Sequence, residues 1–401
     1  MTEDLATTEI VVRPDAVIAP VREQVFGTNV EWIRNANDLW DPKRGEIDQE
    51  ILAMGRSAGI AGIRFPGGVW SDAYTWTDGV GPVANRPKTP HVPGDKEQSQ
   101  HVIGTDEIAA IARDWGAKLI LTVNVGNGEP EDAGAWAAYV RDTHGADLVD
   151  FWEIGNELYM KGDLSGGFME PEAYAEKVRA FAAAIRAEIP DARISAIGLV
   201  NRGRYNFNAH RDWNEVVLRE TADIIDLYAV HNAYAPIVVT ERMREGARVY
   251  QAMMAAPDLI AENLRETRTT MDKAGAGNVE IAITEWGPMF TIDPRNAYFD
   301  HVKTLGSAVF VARTLNTFLR DPAVVSAQFF KLSDVLNSGW IGRDGAGGHR
   351  ATPALLAFGL YADALAGSVV EIDRLGPSFR VRSTGYVGSV DDAAVVDALA
   401  T

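Results

Sequence analysis

Along the chain, short and almost wholly apolar runs alternate with longer stretches whose apolar residues recur every three or four positions. The first kind predicts strands covered on both faces, the second amphipathic helices. Strands are expected at Thr8–Val12, ended by Pro14, at Val25–Trp32, and in a short run ending at Arg64, where Pro66-Gly67-Gly68 stops it. Further strands are expected at Lys118–Val125, from Val149 up to the Asn156-Glu157 pair, and at Arg193–Ile197, Ile224–His231, Val279–Glu285 and Val324–Phe330. Helices are expected at Gly45–Ala58, Thr105–Trp115, Pro130–His144, Pro171–Ile189, Asp212–Glu220, Tyr298–Leu319 and Pro353–Ala364. Another fills much of Thr240–Ala274, with a break at Pro257, where the ring removes a backbone donor.

Eight strands, ending near Glu31, Arg64, Asn124, Glu157, Ile197, His231, Glu285 and Gln328, are thus separated by helical sequence. That alternation predicts an α/β fold, a closed (β/α)8 TIM barrel over residues 20–366. The nearest approach to a phosphate-binding loop, Gly79 to Ala84, contains Pro82 and opens no helix, so a dinucleotide fold is set aside. Residues 1–19 and 367–401 are expected to form a small β-module. Its strands are Ser368–Asp373, Phe379–Ser383 and Ala393–Leu399 beside the N-terminal strand. The tail is too short for a whole sandwich, so an incomplete one, in a reduced or shortened relative, is expected.

Composition narrows the function classes. A 46% hydrophobic content over 401 residues supports a large core, and a formal net charge of −18 disfavours nucleic acid or an acidic membrane surface. With no cysteine, thiolate metal sites and cysteine nucleophiles are excluded, and the seven histidines lack paired spacing, so no metal or cofactor is expected. The polar start and the absence of a long apolar run suggest a cytoplasmic protein. The sequence is compatible with a homo-oligomer.

The chemistry is expected where barrel strands end. The stretch VDFWEIGNE delivers Asn156 and Glu157, and VEIAITEWG delivers Glu285, on the fourth and seventh strands. Facing one pocket, two such carboxylates should differ in proton affinity, one raised by the other's charge and by nearby tryptophan. An acid and an ionised carboxylate are what glycosidic cleavage requires. Arg64 is suited to hold Glu285 ionised and oriented, and His231 to donate to a carboxylate or a sugar hydroxyl. Glu153, inside the strand, reads as structural. Trp32, Trp70, Trp76, Trp286 and Trp340 are candidates for stacking on sugar rings.

At these residues the chain resembles the clan A retaining glycoside hydrolases and, within them, the family 51 α-L-arabinofuranosidases. WEIGNE resembles the acid/base motif and ITEWG the nucleophile motif. IRFPGGVWSDAYTWTDGVGPVANRP is similar to the family's second strand and following loop, and FGTNVEW to its first strand. Gly104-Thr105-Asp106-Glu107, VNVGNG and Ala327-Gln328 match as well. The likeness spans about residues 9 to 366.

The resemblance implies Glu157 as acid/base and Glu285 as nucleophile. It implies substrate contacts from Glu31, Asn156, Tyr234, Gln328 and Trp286, with Arg64 and His231 in support. The implied substrate is carbohydrate, with release of terminal arabinofuranose. Four positions depart from the family pattern: Trp32 stands for His, Val69 for Cys or Asn, Gly287 for Asn, and Ala233 for Tyr. They bear on which sugar is accepted. Other readings are a different clan A activity (β-xylosidase, β-glucuronidase or endo-β-1,4-glucanase) and a non-catalytic carbohydrate-binding barrel.

Overall fold

The computed structural model describes residues 7–161, 167–199, 212–231, 233–236, 245–291, 293, 295–334 and 338–401, with the backbone alone for 233–236. Eight parallel strands close a barrel: β2 (Gly27–Asn29), β3 (Gly62–Phe65), β4 (Lys118–Val123), β5 (Val149–Ile154), β6 (Ile194–Gly198), β7 (Leu227–Val230), β8 (Glu280–Met289) and β9 (Val324–Phe329). Each pairs with the next, and β9 returns to β2 through Gln328 opposite Gly27, so the sheet has no open edge. The expected (β/α)8 architecture is the observed one.

Helices α1 (Gln49–Ser57), α2 (Thr105–Trp115), α3 (Pro130–His144), α4 (Pro171–Glu188), α5 (Trp213–Thr221), α6 (Gly246–Lys273), α7 (Leu305–Arg320) and α8 (Pro353–Ala364) lie between and after them. In α1 the Asp48 carboxylate caps the backbone N–H groups of Glu50 and Ile51.

Strand alternation divides each barrel strand between two environments. On β5, Trp152 packs edge-on against Trp136 of α3, while Phe151 joins Ile120, Leu227, Ala282 and Val325 from four other strands in a cluster separate from the main core. Five strands can meet in that way only inside the barrel. Glu153, two residues on, therefore also points inward, where it is fully buried.

Several boundaries differ from the sequence reading, among them the last tail strand, which runs Val390–Ala394 and not Ala393–Leu399. Strand β1 (Glu9–Pro20) runs through Pro14, because the ladder slips between Arg13 and Val17 and the missing N–H falls in the slip. Helix α6 continues through Pro257, which is buried, as are Met253, Ile260 and Leu264 of the same helix. Packing there outweighs the roughly 3 kcal/mol that an interior proline costs. The stretch Phe299–Lys303 is a tight 3-10 turn, and α7 starts only at Leu305.

Strand β1 pairs antiparallel with β10 (Ser368–Leu375), and β11 (Ser378–Val381) with β12 (Val390–Ala394). Among the described residues, no helix is long and apolar enough to cross a membrane.

Candidate active site

The site is built outward from a guanidinium. Arg64, on β3, is fully buried inside the barrel, and its nitrogens make four bonds to four side chains. Nε donates to Glu153 Oε2 at 2.6 Å, and Nη1 to Glu285 Oε1 at 2.8 Å and to Asn29 Oδ1 at 3.0 Å. Nη2 donates to Asn156 Oδ1 at 2.7 Å. The planar fork thus fixes side chains from β2, β5, β8 and the turn after β5 in one plane. Burial alone would favour loss of the Arg64 proton, but Glu153 and Glu285 outweigh it and raise its pKa. Glu153, read as structural, also accepts from Thr122 Oγ1 at 2.7 Å. It supplies the second anion that a buried cation between strands needs.

Glu157 follows β5 through Gly155, and its own backbone is left-handed, with φ 48°. A non-glycine residue pays roughly 1–2 kcal/mol there, so surrounding bonds must hold the turn. Asp72 does so: its carboxylate accepts the backbone N–H groups of Val125, Gly126 and Asn156, tying the ends of β4 and β5 together. Glu157 Oε1 accepts from His231 Nδ1 at 2.7 Å and from Tyr159 Oη at 3.2 Å.

His231 also faces Glu285, with the same Nδ1 3.7 Å from Oε2. One nitrogen therefore stands between the two carboxylates. Their separation, oxygen to oxygen, cannot exceed the sum of these distances. That limit accommodates the roughly 5–5.5 Å of a retaining pair of carboxyls.

The expected raised carboxyl is corrected here. Burial pushes the Glu157 carboxyl up, but the charge of His231 and the bonds from His231 and Tyr159 bring it below its ordinary value. Burial pulls His231 down, while Glu285 and Glu157 more than restore it, so the imidazole holds its proton above the usual range. His231, expected to donate to one carboxylate, stands close to both and reverses the like-charge argument.

Glu31, at the end of the first barrel strand, is buried, and its Oε2 accepts from Asn37 Nδ2 at 2.8 Å and from Lys331 Nζ at 2.5 Å. Asn37 belongs to a run of five left-handed residues, Arg34 to Asp38, none of them glycine. At roughly 1–2 kcal/mol each, such a run persists only when its surroundings hold it. Ser99 Oγ accepts from the Arg34 N–H, Glu97 pairs with the Arg34 guanidinium, Ser333 donates to the Asn37 carbonyl, and Arg343 pairs with Asp38.

Gly68, itself left-handed at φ 62°, lets the backbone approach the site closely: a Cβ there would lie 3.3 Å from Glu31 Oε1, 3.5 Å from the Phe330 ring and 3.7 Å from Glu285 Oε1. Glu31 Oε1 and Glu285 Oε1 thus both lie beside Gly68.

Two expected contacts are not brought to this space. Gln328 is fully buried over Gly27 and Gly62, its amide donating to the Gln24 carbonyl and to Ser326 Oγ. It fills the barrel on the side where strands begin, because its inward side chain turns toward the residues preceding β2. Trp286 follows inward-facing Glu285 and so points outward, where it packs edge-on against Phe318 of α7 and Phe329. The side chain of Tyr234 lies outside the described residues.

Of the other tryptophans, Trp340 stacks on Phe329 at 3.9 Å, Trp32 on His101 at 4.3 Å, and Trp76 lies parallel to Trp136. Trp70 is half-buried, with its ring near His91. Asn124 shapes its own loop, donating to the Tyr74 carbonyl. Among the described residues, one group has the composition of a metal site, Asp48, Glu50 and His349. There Asp48 caps α1 and Glu50 accepts the His349 N–H.

Sequence reasoning missed Asp72, Tyr159, Asn29, Asn37 and Lys331. Asp72 and Tyr159 lie inside quoted or adjoining motif sequence. Asn37 and Lys331 carry no sequence signal, since their partner is Glu31 from a distance set by loops.

Residues 57–151 match the family model described as the α-L-arabinofuranosidase 1 domain. The chain is 26% identical to an exo-α-(1→6)-L-arabinofuranosidase of Bifidobacterium longum over 71% of this chain and 58% of that one. It is 26% identical to an intracellular exo-α-(1→5)-L-arabinofuranosidase of Streptomyces lividans over 58% of this chain and 38% of that one. Among solved structures, a family 51 α-L-arabinofuranosidase of Bifidobacterium longum superposes with a TM-score of 0.81 at 22% identity, covering 96% of this chain and 81% of that one.

In fold the chain is similar to the family 51 α-L-arabinofuranosidases of known structure. Another structure of the same fold, the α-L-arabinofuranosidase of Thermotoga maritima in complex with arabinose, gives a TM-score of 0.80 at 22% identity. It covers 98% of this chain and 82% of that one. The chain spans little more than half the length of the first curated relative, and less of the second.

Proposed function

We propose that this family 51-like chain is a retaining, exo-acting glycoside hydrolase that releases non-reducing-end α-L-arabinofuranose from plant polysaccharides or oligosaccharides, in the cytoplasm. The observation that carries the reading is the single His231 nitrogen 2.7 Å from Glu157 and 3.7 Å from Glu285. It keeps the two carboxylates close enough together for a retaining separation. The relatives' names supply the sugar.

In this reading Glu285, held by Arg64, attacks the anomeric carbon as the glycosidic bond breaks and Glu157 gives its proton to the leaving oxygen. The glycosyl ester on Glu285 is then opened by water, whose proton returns to Glu157. Before the first step the Glu157–His231 pair shares one proton, and transfer along their bond arms Glu157 as the acid. Asn156 has its Oδ1 held by Arg64, which turns its amide donors toward a sugar hydroxyl. Glu31 accepts from another hydroxyl.

Glu285→Ala with added azide tests the assignment. The expected result is loss of turnover with appearance of a glycosyl azide, whereas loss without rescue counts against Glu285. A panel of nitrophenyl glycosides tests the sugar. Turnover of a xylopyranoside, glucuronide or cellooligosaccharide with the arabinofuranoside left intact would replace the substrate assignment by another clan A activity. Sugar binding without any hydrolysis would support the non-catalytic barrel.

A further inference from the structure

Glu31 is held differently at its two oxygens. Oε2 takes the Asn37 amide at 2.8 Å and the Lys331 ammonium at 2.5 Å, while Oε1 lies beside Gly68. Glu285 Oε1 and the Phe330 ring edge lie beside the same glycine. The Lys331 side chain is 8% exposed and that of Glu31 2%, so the pair is shielded from water and its geometry is not averaged by solvent. Asp334, at 3.9 Å from Nζ, adds a second, more distant anion on the far side of the lysine. Asn37 reaches Glu31 from the left-handed run Arg34 to Asp38, which side chains from two other loops hold in place.

We propose that Lys331 and Asn37 are positioning residues that determine sugar specificity by clamping Glu31 Oε2, so that Oε1 alone is presented to substrate. This rests on the glycosidase reading above and deepens it. A carboxylate with one oxygen tied off is a fixed single acceptor, and the group it selects is a hydroxyl that reaches Oε1. A sugar carrying its own carboxylate would bring a further anion against Glu31 and Glu285, with the ammonium already engaged. The clamp therefore selects neutral sugars with a donor hydroxyl at that point, and it separates this site from a glucuronidase.

The test compares wild type, Lys331→Met, Lys331→Arg and Asn37→Ala on whichever glycoside of the panel the wild type turns over fastest, and on its monodeoxy analogues. Lys331→Met should raise KM about 10- to 100-fold, the range for losing a charged hydrogen-bond partner, with kcat changed less than about threefold. One deoxy analogue, strongly discriminated against by wild type, should lose that discrimination in Lys331→Met and regain part of it in Lys331→Arg. Asn37→Ala should move KM in the same direction by a smaller factor, and it carries the comparison should Lys331→Met fail to fold.

Unchanged KM and unchanged deoxy discrimination in a folded variant overturn the clamp, as does a wild type that prefers a uronide. If the arabinofuranoside is left intact while another neutral glycoside shows the KM effect, the arabinose reading falls and the clamp stands.

Discussion

His231 Nδ1 lies 2.7 Å from Glu157 Oε1, and this bond decides which of the two groups holds the proton they share. The imidazole is raised and the carboxyl lowered, so in the free protein the proton rests on His231. For Glu157 to act as an acid, the pair must still hold that proton.

The alkaline limb of kcat/KM is therefore expected above the ordinary imidazole value of about 6.5. In His231→Phe the limb should instead report Glu157 alone, now buried without a cationic partner. It should move down to between the ordinary carboxyl value of about 4.3 and the wild-type limb. A pH–rate profile of both proteins measures this, and an unmoved limb would dissociate His231 from the acid.

The same bond makes stability depend on pH. A raised His231 stabilises fully below its unfolded pKa, and its contribution fades as pH rises through the folded value. A lowered Glu157 stabilises above its unfolded pKa and fades as pH falls through the folded value. The pair should contribute most between about pH 4.5 and a value above about 6.5. Melting temperatures of wild type minus His231→Phe, followed from pH 4 to 9, should peak in that window and converge outside it.

Arg64 and Glu153 are both fully buried and bonded at 2.6 Å. Glu153→Leu leaves the guanidinium with Glu285 as its nearest anion and should cost about 3–5 kcal/mol in chemical denaturation. Because Nη1 is then free to shift around Glu285, kcat should fall as well. Glu153→Gln, which keeps an acceptor for Nε, should recover part of both. Equal losses in the two variants would mean that charge, not the hydrogen bond, is what Arg64 requires.

Asp72 accepts three backbone N–H groups from the two loops flanking the Asn156–Glu157 turn. Asp72→Ala orphans all three and should cost about 2–4 kcal/mol of stability. It should also lower kcat, since the strained Glu157 backbone then relaxes. Hydrogen exchange at Asn156 in wild type and variant reads the local effect directly.

Gln328 gives the opposite expectation. Its amide is spent on Gln24 and Ser326 inside the barrel, so Gln328→Met should leave KM within about twofold while altering stability by about 1–3 kcal/mol. A large rise in KM would restore it to the sugar pocket.

The barrel was legible in the sequence because burial on both faces leaves an unambiguous mark, a short apolar run closed by polar residues, repeated eight times. Glu157, Glu285, Arg64 and His231 were legible because each ends such a run, and strand ends converge in a closed barrel. The alternation also carried more than was drawn from it. Glu153, two residues beyond Phe151, must point in, whereas on β8 the ladder slips between Ile283 and Trp286, so Ala282 and Glu285 both face inward and alternation alone did not place Trp286.

What only the tertiary structure decided are relations across the barrel. His231 separates the carboxylates and inverts the expected proton order. Lys331 meets Glu31 across three hundred residues, and a left-handed turn brings Asn37 to the same oxygen. These depend on loop geometry, register and the direction of single side chains. A sequence pattern reports which face of an element is buried, whereas it carries no record of which buried groups touch.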